Sequence, residues 1–167
     1  MKIAFAGFGE VNTPIEVIER KCKTACDSLN VCGVTVFSYY PIIDDMQEKH
    51  INAAVEYFSD KDFDVLVLCV AGWIPTHAIL KVADKFKNKP MVLWGLCGWV
   101  EGDSLVTTAD QAGTSAVRKT LEDLGYKFKY VYDIVGMPSK SDKVLSYAKL
   151  VTAAANLRTA KIGQLGY

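Results

Sequence analysis

Five apolar runs rich in β-branched and aromatic residues alternate along the chain with segments of helical periodicity. The runs are KIAFAG, VTVFSYY, DVLVLCVAG, PMVLWGL and FKYVYDIVG. Strands covered on both faces of a parallel sheet read as nearly continuous apolar runs, and alternation with helices is typical of that architecture. The pattern predicts an α/β fold, a three-layer αβα sandwich of Rossmann or flavodoxin type. Right-handed crossovers and short loops favour a five-stranded parallel sheet with the order 2-1-3-4-5.

Five helices are predicted from apolar residues at spacings of three and four. The first has Thr13 as N-cap, Pro14 at the first helical position and Glu16 at the third, the pattern of a capping box. The fourth is expected to begin near Thr108 and to end at Gly125 as a left-handed cap. The residues expected to face inward are Ile15, Ile18, Cys22, Ala25 and Leu29; Ile51, Ala54, Val55 and Phe58; Ile79, Val82, Ala83 and Phe86; Ala116, Val117, Leu121 and Leu124; and Val144, Ala148, Val151 and Ala155.

One domain is expected over residues 1–160, because no segment rich in proline, glycine or serine divides the predicted elements. The last stretch, KIGQLGY at 161–167, has the same character as KIAFAGF at 2–8. It is expected to be the start of the first strand of a following domain that this chain does not contain.

The composition disfavours two classes of partner. Nineteen basic residues balance nineteen acidic ones, and no run of Lys or Arg exceeds two neighbours, so nucleic acid is not an expected partner. The longest apolar run, VLVLCVAGWI, has ten residues and is too short to cross a bilayer, so no membrane association is expected. Five cysteines without a Cys-x-x-Cys pair predict buried reduced thiols and a cytoplasmic location.

The loops after the strands are where a ligand is expected, because open parallel sheets bind ligands beyond the carboxyl ends of their strands. The first loop, GFGEVN, has two glycines between a strand and a helix. Asn12 stands where a dinucleotide motif has its third glycine, and Glu10 would lie beside a pyrophosphate. A plain tight turn is therefore favoured over a dinucleotide site.

The loop GWIPTH after the third strand carries two candidate residues. Trp73 is expected to be partly exposed, where an indole can stack on the apolar face of a sugar, fill an interface or cap the end of the core. His77 is expected in the first turn of the next helix. With His50 as the only other histidine, a hydrogen-bonding role is favoured over metal binding.

The fourth loop is long and carries several polar residues, as functional loops often do. Glu101 and Asp103 either pair on a hard cation or are solvated turn residues, and the second interpretation is favoured. The chain has no Gly-x-Ser-x-Gly elbow, no Walker loop and no zinc-type spacing. The residues alone therefore indicate a Rossmann-like domain with an incomplete active site.

Three stretches carry a resemblance to a known family: LCVAGWIPTHAILKVADKF, PMVLWGLCGW and LVTTADQAGTSAVRKTLEDLGYKFKYVY. Here the sequence resembles the amino-terminal domain of the L-fucose isomerase and L-arabinose isomerase superfamily, particularly its fucose-isomerase-like members. The resemblance extends from GFGEVNTPIEVIERK to RTAKIGQLGY. It implies an aldose–ketose isomerase that works through an enediol with a divalent metal, usually manganese, held by glutamate, aspartate and histidine in later domains.

The family's amino-terminal domain has no metal or catalytic residues of its own, so none are expected here. The resemblance implies a homo-oligomer, hexameric in the family, in which this domain approaches a neighbouring subunit's active site and helps to close it over the sugar. Trp73 resembles an aromatic residue that meets the substrate. Trp99, in WGLCGW, resembles a position near the same rim, and Gln111, in ADQAG, a polar position that opens the next helix. With His77 they form the candidate substrate-binding set.

The sugar is not identified, because GFGEVNTP replaces the arginine-containing first loop of the better-known fucose isomerases. Two other functions stay open. One is a flavodoxin-like module that binds a cofactor or nucleotide, and the other is a purely structural oligomerisation domain.

Overall fold

The computed structural model describes residues 1–31, 33–161, 163 and 166 of the chain. Within them seven strands and five helices follow one another along the sequence. In chain order they are β1 (Lys2–Phe8), α1 (Ile15–Leu29), β2 (Thr35–Ile42), α2 (Lys49–Ser59), β3 (Val65–Val70), α3 (Thr76–Lys85), β4 (Met91–Cys97), β5 (Trp99–Glu101), β6 (Ser104–Val106), α4 (Asp110–Asp123), β7 (Phe128–Ile134) and α5 (Ser141–Thr159).

Five strands form one parallel sheet in the order β2-β1-β3-β4-β7. This confirms the predicted α/β sandwich and the order 2-1-3-4-5, with β7 as the fifth strand of the sheet. The chain leaves β1 toward β2 on one side and leaves β3 toward β4 on the other. The carboxyl ends of β1 and β3 therefore flank the point where the winding direction changes, which is where such sheets bind ligands.

Two core layers cover the faces of the sheet. Along β1, Ala4, Ala6 and Phe8 join the layer under α2, α3 and α4, while Ile3 and Phe5 join the layer under α1 and α5. This alternation follows from the two-residue period of a strand, and all five side chains are buried. Burying a large apolar side chain contributes about 1.5–3 kcal/mol, so both layers stabilise the sheet beneath its carboxyl edge.

A short antiparallel hairpin inside the fourth loop was not predicted. Trp99 pairs with Val106 and Glu101 with Ser104, which leaves Gly102 and Asp103 as a two-residue turn. Gly102 has φ +59°, a left-handed value that glycine adopts without strain. The long loop is therefore an ordered extension of β4, and Glu101 and Asp103 are exposed on it.

The start of α1 differs from the predicted capping box. The helix begins at Ile15 and Pro14 is its N-cap, with no side-chain cap, while the Pro14 carbonyl accepts the Val17 and Ile18 amides. Thr13 cannot cap the helix because its side chain is buried against Gly72. Likewise α4 begins at Asp110, two residues later than predicted, because Thr108 bonds to the loop after β3 instead.

Most of the residues predicted to face inward do so, but four are exposed: Ile15, Ala116, Leu124 and Ala155. In α4 the buried face instead consists of Asp110, Gly113, Thr114, Val117 and Leu121. Ala116 lies off that face, and Leu124 lies past the last residue of the helix. Gly125 has the predicted left-handed conformation, with φ +71°.

The thiols of Cys22, Cys26 and Cys69 are buried and free, as predicted, while Cys97 is free and partly exposed. Cys32 lies outside the described residues. So do Ile162, Gln164, Leu165 and Tyr167, on which most of the expected strand at 161–167 depends.

Candidate functional site at the carboxyl edge of the sheet

Trp73 is a half-buried indole held just beyond the end of β3. Its backbone N–H donates to Thr108 Oγ1 at 3.0 Å. Its ring lies against Gly113 in α4, where a Cβ atom would come within 3.0 Å of Trp73 Cδ1. The absence of a side chain at Gly113 therefore leaves room for the indole to pack against α4, and Trp73 as a whole stays partly exposed at the rim.

His77 and Gln111 lie on the first turns of neighbouring helices. Each is the second residue of its helix, α3 and α4 respectively, and both are exposed. The Gln111 backbone N–H donates to Asp110 Oδ1 at 2.9 Å, which ties the start of α4 to the buried carboxylate. Both side chains are accessible from solvent at the edge where Trp73 lies.

Trp99 has a different environment from Trp73. It begins β5, is only 7% exposed, and its ring centroid lies 5.7 Å from Lys21 Nζ of α1. It lines a cleft that none of Trp73, His77 and Gln111 line. The four candidate residues are therefore not brought together around one cavity.

The cleft lined by Trp99 has a volume of about 390 Å³ and lies between α1 and the carboxyl ends of β4 and β7. This is within the range of about 300–1,000 Å³ for small-molecule sites. Apolar side chains form most of its walls: Leu96, Trp99, Val100, Ile134, Val135 and Met137. Arg20 and Lys21 of α1 form one polar wall, and Asp133 lies on the opposite side.

A buried ion pair joins α1 to the first turn of α4 beside this cleft. Lys21 Nζ lies 3.4 Å from Asp110 Oδ2 and donates to the Leu96 carbonyl at 2.8 Å. Asp110 is fully buried, and its carboxylate also accepts the Gly98 N–H at 2.7 Å and the Thr107 hydroxyl at 3.2 Å. This single carboxylate thus fixes α1, the start of the hairpin and the start of α4 relative to one another.

Burial lowers the pKa of the Lys21 ammonium, and the nearby Asp110 carboxylate opposes that shift. Desolvation disfavours the charged form of an amine, whereas a neighbouring anion favours it. Lys21 is therefore a cation whose hydration has been replaced by two protein oxygens. Lys21 also lines the cleft beside Trp99.

Sequence reasoning missed the Lys21–Asp110 pair, although a signal was present. Lys21 lies three residues after Ile18 and four before Ala25, which places a charged residue on the buried stripe of α1. A lysine there requires a partner, and an acidic residue at the first turn of a helix is well placed to provide it. The identity of the partner, 89 positions away, had no sequence signal.

Thr13 lies at the point where the winding direction of the sheet changes. Its side chain is 2% exposed, and its hydroxyl has no hydrogen-bond partner among the described residues. A Cβ atom at Gly72 would come within 3.0 Å of Thr13 Oγ1 and 3.5 Å of Thr108 Oγ1. Glycine at position 72 therefore lets two hydroxyl groups approach the backbone beside Trp73.

The loop between β1 and α1 has little capacity to bind a phosphate. Three of its amides are occupied: Gly9 donates to the Ile42 carbonyl, Val11 to Asp44 Oδ1, and Thr13 to the Glu10 carbonyl. A Cβ atom at Gly9 would lie 2.5 Å from Ile18 Cδ1, so this glycine serves close helix packing. The geometry agrees with a tight turn and not with a dinucleotide loop.

The described residues do not fit a metal ion. Residues 1–31, 33–161, 163 and 166 contain no cluster of three or more His, Cys, Asp or Glu side chains that could hold a metal ion. Nor, among the same residues, is any helix both long enough and apolar enough to cross a membrane.

Comparison with known proteins assigns no family to the chain. No protein-family model matches the sequence, and no curated protein matches it.

Proposed function

We propose that this chain is the amino-terminal, substrate-capping and assembly domain of a metal-dependent aldose–ketose isomerase of the L-fucose or L-arabinose type. The proposal starts from the resemblance in GWIPTH, WGLCGW and ADQAG. One structural observation carries it further: the Trp73 indole is held at the carboxyl edge by Thr108 and Gly113 and is only half-buried.

An indole held in this way suits the apolar face of a sugar. Ring stacking on a pyranose or furanose requires a flat apolar surface with a polar group at its edge. An indole supplies the surface with its ring and the polar group with its N–H. Because the ring is already seated against α4, little side-chain freedom is lost on binding. The exposed Gln111 and His77 side chains provide hydrogen-bonding groups at the same edge.

In this proposal the chemistry of isomerisation takes place on residues of later domains of the full-length enzyme. A divalent ion such as Mn²⁺ would stabilise an enediolate in an enzyme of this class. In such an enzyme this domain would contribute packing on the sugar and exclusion of water. We propose that it acts at the interface with a neighbouring subunit of a homo-oligomer.

The two other functions are less well supported. A flavodoxin-like cofactor or nucleotide module needs a phosphate-binding first loop, and three amides of that loop are already bonded within the protein. A purely structural oligomerisation domain has no need for an indole seated at the rim. Binding of FMN or a nucleotide, measured as a thermal shift of this chain, would favour the cofactor module.

The test is an isomerisation assay with L-fucose and L-arabinose in the presence of Mn²⁺. It is run on this chain and on the product of the complete reading frame that contains it. Turnover is expected only from the product that also contains the metal ligands. Turnover by this chain alone would contradict the division of labour, and no turnover of either sugar by the complete product would contradict the isomerase assignment.

A substitution in the active product tests the role of the indole. Trp73→Ala is expected to lower kcat/KM by about tenfold or more, equivalent to about 1.4 kcal/mol of lost transition-state binding. Tyr57→Ala is the matched control, because Tyr57 is also half-buried but lies near the end of α2, at the opposite edge of the sheet. Unchanged kcat/KM in Trp73→Ala would favour a structural oligomerisation domain.

A further inference from the structure

We propose that the cleft between α1 and the carboxyl ends of β4 and β7 binds a small amphipathic monocarboxylate. The site is separate from the rim at Trp73 and does not depend on the isomerase proposal. It combines a cavity of about 390 Å³ with a mostly apolar lining and two cationic side chains on one wall.

The apolar walls of the cleft favour a ligand with an apolar body. Leu96 lies at the carboxyl end of β4 and Trp99 at the start of β5, while Ile134 and Met137 lie at the end of β7 and in the turn after it. Ile134 and Met137 are largely exposed, at 47% and 66%. An aromatic or aliphatic body between these walls would remove their apolar surface from water, at about 25 cal/mol per Å².

The cationic side chains of α1 favour a ligand with an anionic end. Arg20 is exposed, lines the cleft and makes no ion pair or side-chain hydrogen bond with any described residue. Its guanidinium offers a planar fork of donors that matches a carboxylate. Lys21 uses two of its three donors, on the Leu96 carbonyl and on Asp110, which leaves one for a ligand oxygen.

A single negative charge is favoured by the charges around the cleft. Asp110 already neutralises Lys21, so Arg20 is the cation without a partner on this wall. On the opposite wall Asp133 is held by the Ser139 hydroxyl at 2.9 Å and the Lys140 N–H at 3.1 Å. A second negative charge on the ligand would face this carboxylate, so a monocarboxylate fits better than a dicarboxylate or a phosphate.

The binding test uses three probes that share a phenyl ring. These are 3-phenylpropionate, its neutral amide 3-phenylpropionamide, and the dicarboxylate phenylsuccinate. Each is titrated into the chain while the indole N–H resonances are followed by NMR, with the Trp99 resonance assigned from Trp99→Phe. The monocarboxylate is expected to give a saturable shift of the Trp99 resonance, with affinity about tenfold or more above that of either other probe.

The variant test separates the charge from the apolar contacts. Arg20→Gln is expected to weaken 3-phenylpropionate binding by about tenfold and to leave the amide unchanged, since the exposed side chain is not needed for folding. Arg118→Gln is the control, because Arg118 is an exposed arginine of α4 that pairs with Glu122 and does not line the cleft. Equal affinities for acid and amide, no effect of Arg20→Gln, or a shift confined to the Trp73 resonance would each overturn the proposal.

Discussion

The Lys21 ammonium and the Asp110 carboxylate form an ion pair across 3.4 Å, with side chains that are 10% and 0% exposed. The pair links α1, on one face of the sheet, to the first turn of α4, on the other. It does so at the carboxyl edge, beside the cleft that Trp99 lines. The relative position of both helices at the candidate site therefore depends on one buried charge pair.

Removing the charge of Asp110 should cost far more than removing a surface charge. Asp110→Asn keeps the shape of the side chain but removes the negative charge, so Lys21 becomes a buried cation without a counter-charge. Breaking a buried pair from one side typically costs about 3–5 kcal/mol of unfolding free energy, and about 3 kcal/mol is expected here since Lys21 keeps slight exposure. Urea denaturation measures the loss.

Two further variants make the Asp110 prediction specific. Glu122→Gln removes one partner of the exposed Arg118–Glu122 pair and should change the unfolding free energy by less than about 0.5 kcal/mol. Adding Lys21→Met to Asp110→Asn should restore part of the loss, because the unpaired cation is then gone. A loss in Asp110→Asn no larger than in Glu122→Gln would show that the pair does not bear on stability.

The Tyr126 phenol contributes to the unfolding free energy, and this contribution is lost at alkaline pH. Burial raises the pKa of this phenol, and its hydrogen bond to Asp84 raises it further. The unfolded chain loses the phenolic proton near pH 10, before the folded protein does. The contribution is thus complete below about pH 10 and is lost as pH rises beyond it, at up to about 1.4 kcal/mol per pH unit.

The measurement is urea denaturation at a series of pH values from 8 to 11. Tyr126→Phe should show a shallower fall in unfolding free energy above about pH 10 than the natural sequence does, because one phenol with a raised pKa has been removed. Tyr57→Phe controls for the loss of a tyrosine as such. Identical alkaline slopes for Tyr126→Phe and the natural sequence would contradict this account.

The sheet and its helices could be predicted because each buries a long apolar surface with its own period. KIAFAG and VLVLCV are continuous apolar runs, and Ile18, Cys22 and Leu29 repeat at helical spacing. The hairpin β5–β6 escaped prediction because strands of three residues show too little alternation. Its signal was the Gly102-Asp103 pair between two short apolar segments, which is typical of a tight hairpin turn.

The candidate site was less predictable because its contacts join distant parts of the chain. Trp73 and Trp99 both follow strands of the sheet, so sequence reasoning placed them at one rim. The structure assigns them different surroundings: Trp73 lies on Gly113 and Trp99 beside Lys21. The positions of the two residues in the sequence do not indicate which face of the sheet each side chain lies on.

Two buried threonines differ in whether their hydroxyl groups form a hydrogen bond, so they can be compared directly. Thr114 is fully buried and donates to the Asp110 carbonyl at 2.7 Å, whereas the Thr13 hydroxyl has no hydrogen-bond partner in the described part of the chain. Thr13→Val should therefore raise the unfolding free energy by about 1 kcal/mol, and Thr114→Val should lower it by about 1 kcal/mol. Opposite signs in urea denaturation are the expected result. A loss of stability in Thr13→Val would show that the hydroxyl is satisfied in solution.

Gly113 controls the position of the Trp73 indole, and a single added methyl group tests this. In Gly113→Ala the new Cβ would lie 3.0 Å from Trp73 Cδ1, closer than side chains normally pack, so the ring must shift by a few tenths of an ångström. The substitution also gains about 1 kcal/mol of helix propensity in α4, which offsets the crowding and keeps the change in unfolding free energy within about 1 kcal/mol. The Trp73 indole N–H resonance in NMR spectra is therefore expected to move, while Ser115→Ala, on the exposed side of the same helix, leaves it unchanged. If both variants left the resonance in place, the indole would not pack on Gly113, and contact with α4 would not position Trp73 at the rim.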